Sequence, residues 1–122
     1  MTTFTEGRHA AEFVLSEAQG QRSRENVTQD ESTVLAAGQV VGKVTASGEY
    51  AQHDQDASDG TEAAAGIALY AKTTGAGAPV AISIIARDAE VNGELLVWQD
   101  DITGGEITTH SAELAALGII VR

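Results

Sequence analysis

The side chains able to do chemistry are few and widely spaced. The three histidines stand at positions 9, 53 and 110. None has a second histidine three or four residues away, the spacing that sets two imidazoles on one helix face for zinc. There is no cysteine, which removes disulfides, thiolate metal sites and thiol nucleophiles. The run QHDQDASDGTEAA offers Asp54, Asp56 and Asp59, whose carboxylates superficially suit calcium. Their spacing departs by one residue from an EF-hand loop, and the twelfth position is Ala65 where a bidentate Glu is needed. A solvated acidic loop is the simpler reading. Asp88 and Glu90 lie two apart in a strand pattern and share a face, which reads as a solvated edge rather than an acid–base pair. No GxSxG elbow, Walker loop or GxGxxG appears, and GAGAP reads as a loop. The sequon at Asn26-Val27-Thr28 has no secretory leader before it. These residues give no catalytic centre, no cofactor site and no metal site.

The elements around them follow from pattern. Residues 1–33 are polar and mixed in charge, and GQRSRENVTQDES carries Val27 as its one aliphatic. This stretch reads as an extended N-terminal arm that gains its order from another chain. Within it, AAEFVL suits either a helical turn or a short strand. Residues 34–122 read as a β-rich body. KVTASGEYA is a hairpin with Ser47-Gly48 near its tip, and QHDQDASDGTEAA is a surface loop. GIALYAKT is a strand. VAISIIARDAEV is the strongest strand, with Val80, Ile82, Ile84 and Ala86 on one face and Ala81, Ser83, Ile85 and Arg87 on the other. Asn92-Gly93 signals a hairpin, with ELLVW as the return strand. Thr103 and Glu106 fit a capping box, although Gly104 and Gly105 argue for a start nearer Thr108 or Thr109. Ile107, Leu114 and Leu117 recur at helical spacing, Gly118 suits the position just past the helix, and IIVR closes as a strand. The expected fold is mostly β (α+β): a small body of hairpins with a short C-terminal helix behind an extended arm.

Composition narrows the partners. Acids outnumber bases 18 to 7, for a net charge of −11. Affinity for nucleic acid and for anionic membranes rests on Lys and Arg, so neither is an expected partner. No run reaches the length of a membrane helix, and a cytoplasmic product is expected. Trp98, at the end of its strand, reads as an anchor of the core or of an interface.

Four stretches, GRHAAEFVLSEAQGQRSRENVT, GKVTASGEYAQHD, ARDAEVNGELLVW and AELAALGIIVR, together resemble the head decoration protein family of tailed bacteriophages, the phage lambda head protein D type. SRENVT, RDAEVNG and LAALGIIVR in this order carry most of the specificity. The family often has proline after the tryptophan, where this chain has Gln99. The resemblance implies a non-enzymatic cementing protein that binds as a homotrimer at local threefold positions of an expanded head. It further implies the major capsid protein as partner, the outer face of the virion as location, and the host cytoplasm before assembly. An N-terminal arm that orders against the capsid is part of the same implication. On this reading Phe4, Phe13, Leu15 and Val27 are apolar docking anchors, and Arg8, Arg22, Arg24, Glu25 and Asn26 are polar ones. The other reading left open is a non-catalytic ligand- or cation-binding β module of a phage structural component, built on the loop from Asp54 to Asp59.

Overall fold

The computed structural model describes residues 9–122. Along the chain run β1 (Val14–Glu17), β2 (Arg24–Gln29), β3 (Val34–Leu35), β4 (Val40–Lys43), β5 (Tyr50–Gln52), β6 (Gly66–Ala68), β7 (Lys72–Thr73), β8 (Val80–Ile85), β9 (Ala89–Val91), α1 (Gly104–Ala116) and β10 (Ile119–Val121). The fold is mostly β with a short C-terminal helix, as expected. Strands β2-β5-β4-β6-β8 close into a barrel, β1-β9-β10 form a second sheet with β9 in the middle, and β3 pairs with β7.

Two cores explain the continuous apolar runs. Leu35, Val41, Ala68, Ile82, Ile84 and Ala86 form one cluster. Phe13, Val40, Ile67, Ile85, Val91, Leu114 and Ile119 belong to the other. Neighbouring residues in a strand point to opposite faces. Val40 and Val41, Ile67 and Ala68, and Ile84 and Ile85 therefore serve different cores. Strands covered on both sides read as unbroken Val/Ile runs rather than alternating ones. This is why Ile85, expected beside Ser83 and Arg87, is fully buried.

The expected division at residue 33 is not where the fold divides. Strand β2 runs antiparallel to β8 through six residue pairs, from Arg24↔Ile85 to Gln29↔Val80. It meets β5 through Gln29↔Tyr50 and so closes the barrel. Strand β1 pairs antiparallel with β9. Residues 14–17 and 24–29 thus draw their order from their own chain. Polar side chains suffice for β2 because its outer face meets water while its backbone is paired.

The stretch 80–98 also departs from expectation. The long strand breaks after Ile85, where the chain turns through Asp88 at φ +51°. Its second half becomes β9 in the other sheet. Asn92-Gly93 makes no hairpin. The Asn92 side chain accepts from the Glu94 N–H and caps a single 3₁₀ turn, Gly93–Leu95. Both edges of β9 are occupied, by β1 and β10, leaving no place for a return strand. Of ELLVW, only Val97 pairs, in a parallel bridge to Gln39.

Local signals elsewhere agree with the fold. Strands β4 and β5 form the KVTASGEYA hairpin. Both capping-box bonds are present, Thr103 N–H to Glu106 Oε1 at 3.1 Å and Glu106 N–H to Thr103 Oγ1 at 3.3 Å. With that cap the helix begins at Gly104, ahead of the start expected near Thr108. Gly118 has φ +87°, the left-handed conformation suited to a helix exit.

Gly42 in β4 lies hard against the neighbouring backbone, since a Cβ there would lie 2.5 Å from Thr61 Cα and 2.7 Å from its carbonyl oxygen. Backbone cannot swing aside as a side chain does. Gly42→Ala is expected to destabilise the fold by about 1–3 kcal/mol. Urea unfolding should show this as a lower midpoint at unchanged slope.

Candidate functional site

The proposed docking residues fall into three groups. Phe4 and Arg8 lie outside the described residues. Phe13 is 1% exposed and lies in the larger core, and Val27 packs on the barrel core. Phe13 was expected to fill a pocket on a partner and instead fills one in its own chain, because β1 holds it under the second sheet. The remaining residues face water or its margin. Leu15 is 54% exposed and sits at the bulge between Val14 and Ser16, on an edge strand of its sheet. The Arg24 guanidinium pairs with Glu17 at 2.9 Å, Arg22 with Asp88 at 3.4 Å, and Glu25 with Arg87 at 3.2 Å. Asn26 Oδ1 accepts from Ser83 Oγ at 2.6 Å. These surface pairs are worth about 0–1 kcal/mol each, so a partner can exchange them at little cost. Asp88 and Glu90 do not work together, since Glu90 pairs with Arg122 at 3.5 Å while Asp88 faces Arg22.

The acidic loop spends its carboxylates on itself. Asp54 accepts from the Asp56 N–H, and Asp59 accepts from both the N–H and the hydroxyl of Thr61. Those bonds hold the Asp59 carboxyl below its ordinary pKa. The loop borders a cleft of about 710 Å³ that is also lined by His53, Gln99, Asp100 and Asp101.

Two histidines far apart in the chain meet beside this cleft, which their spacing gave no means of expecting. His53 is fully buried and His110 is 6% exposed. Their ring centroids are 4.1 Å apart. Trp98, half-buried against the larger core, presents its ring edge-on to His53 with centroids 5.8 Å apart. His53 Nε2 lies 3.2 Å from the Glu62 carbonyl oxygen. His110 Nδ1 contacts Glu113 Oε1. His53 follows β5 and His110 projects from α1, so only the docking of the helix on the barrel brings them together.

A model of the bacteriophage lambda head decoration protein D family matches residues 3–119. The chain belongs to that family. No curated protein matches the chain. The match runs through β1, β2, the barrel, β9 and α1 and ends at the first residue of β10. Where the family often carries proline, the decoration protein here uses its Gln99 side chain to hold the turn. That side chain accepts from the Gln55 N–H and donates to Asp101 Oδ1 at 2.7 Å.

The buried histidine is expected to make the decoration protein sensitive to acid. Burial pushes the His53 pKa below its ordinary value, and the neighbouring His110 adds to this. The Glu62 carbonyl, Glu113 and Asp54 oppose the shift more weakly. A histidine whose folded pKa is depressed favours the fold above its unfolded pKa of about 6.5, and that contribution is lost as pH falls below it. Urea midpoints should therefore fall between pH 7.5 and pH 5, and His53→Asn should flatten the dependence.

Proposed function

We propose that this decoration protein binds the outer surface of a tailed-phage head as a homotrimer and cements the shell against the pressure of packaged DNA. The match to the head decoration family over residues 3–119 carries this reading. The major capsid protein is the partner, and the free protein waits in the host cytoplasm. The net charge of −11 supports accumulation of free protein without adhesion to DNA. No catalysis is assigned to it.

Docking is proposed to run through residues 1–12 and the edge strand β1, a shorter segment than the thirty-three residues expected from composition. Phe4 and Leu15 supply apolar contact. Arg8 and Arg22 orient the approach, and strand addition at the β1 edge supplies main-chain bonds. Leu15, Val34, Leu117 and Ile120 are the large apolar side chains exposed among the described residues, and they support contact with other chains. Each arm binds weakly alone. Three arms on one trimer make the later contacts intramolecular, which raises avidity about 10²–10⁴-fold.

Sedimentation of the purified chain at micromolar concentration tests the oligomer, with a single trimeric species expected. Imaging of expanded heads with added protein tests the site, with density expected at the local threefold positions. A monomer, or heads left bare at saturating protein, would reject the reading.

A further inference from the structure

The histidine pair invites an explanation that capsid decoration does not supply. A backbone carbonyl only accepts hydrogen bonds, so the Glu62 oxygen at 3.2 Å requires the proton on His53 Nε2. The lone pair then belongs to Nδ1, and that atom is buried without a hydrogen-bond partner. A buried acceptor left unpaired is costly and rare. His110 shows a related arrangement. Its Nδ1 contacts Glu113 Oε1, and its Nε2 lies 3.4 Å from Gln55 Oε1. One ligand atom from each of His53, His110 and Glu113 lies within 4.8 Å of the others.

We propose that His53, His110 and Glu113 form a binding site for one divalent transition-metal ion of the zinc class. Two imidazoles and a carboxylate, with water as the fourth ligand, are a recognised zinc donor set. Bonds of about 2.1 Å place tetrahedral ligand atoms roughly 3.4 Å apart. Glu113 Oε1 accepts from the Ala64 N–H at 3.2 Å, and as the most exposed of the three side chains Glu113 is the one that must shift to close the remaining distance. The outer partners are already in place. Metal-bound histidine characteristically donates its other N–H to a carbonyl or carboxylate, the roles that Glu62 and Gln55 fill here. His53 also borders the acidic cleft, which sets the site next to a concentration of carboxylates. Bound metal would tie α1 to the segment after β5, joining the last helix to the barrel.

The test is titration of the full chain, stripped with chelator and dialysed, with zinc chloride by calorimetry. One ion per chain is expected, with Kd in the micromolar range or tighter. His53→Asn and His110→Gln should each weaken binding by at least about 10-fold, while His9→Asn should leave it unchanged. Glu113→Gln, at a partly exposed position, guards against loss of fold in the buried variants and should weaken binding too. Trp98 is the sole tryptophan, with its ring centroid 6.5 Å from that of His110. Its fluorescence should therefore quench on stoichiometric addition of cobalt(II). Calcium should not displace zinc. Sub-stoichiometric binding, binding that survives His53→Asn and Glu113→Gln, or displacement by calcium would each overturn the proposal.

Discussion

Deletion of residues 1–30 is expected to abolish cooperative folding. The cut removes β1 and β2 together. Loss of β2 opens the barrel along β8, where six residue pairs are joined, and along its contact with β5. Two edges then expose unpaired backbone, and the Val41–Ile82–Ile84 core faces water. Loss of Phe13, 1% exposed, empties the centre of the second core. Phe13→Ala alone is expected to cost about 3–5 kcal/mol. A domain of ordinary stability holds only about 5–15 kcal/mol in total, so the deletion leaves nothing in reserve. Circular dichroism during urea titration checks both variants. The point substitution should lower the midpoint, and the truncation should show no sigmoidal transition. A truncated chain that melts near the full-length midpoint would mean that the barrel stands without β2.

Deletion of residues 1–8 should have the opposite effect. The strands, helix and cores described above are built from residues 9–122. If residues 1–8 serve docking as proposed, the unfolding free energy from urea titration should stay within about 0.5 kcal/mol of full length. Head binding should fall by about 10²-fold or more, because weakening each of three linked contacts multiplies through the trimer. A binding curve on expanded heads, with full-length and shortened protein side by side, reads the difference. Unchanged affinity would show that docking uses other parts of the body. The two deletions together separate the segment proposed to bind from the segment that folds.

The sequence by itself determined the features governed by near neighbours. Thr103 and Glu106 cap the helix three residues apart, Gly118 ends it, and Ser47-Gly48 turns one hairpin. Each of these acts over a few residues, where local energetics are sufficient. The family was equally legible, since its specificity lies in short ordered motifs such as SRENVT and LAALGIIVR.

The tertiary structure decided what depends on distant partners. RENVTQ has one aliphatic residue and no strand signal of its own. It becomes a barrel strand because β8, more than fifty residues later, offers a complete row of backbone donors and acceptors. Phe13 looked like an anchor for another chain because nothing near it in sequence could cover it. It is buried in a cluster with Val91, Leu114 and Ile119, which come much later in the chain. Asn92-Gly93 carries the signature of a hairpin, but β9 already has a neighbour on each side, so the local preference had no sheet edge to use. The histidines show the same principle most plainly. Spacing along a chain reveals ligands only when one element carries them all, and His53 and His110 sit on separate elements joined by packing.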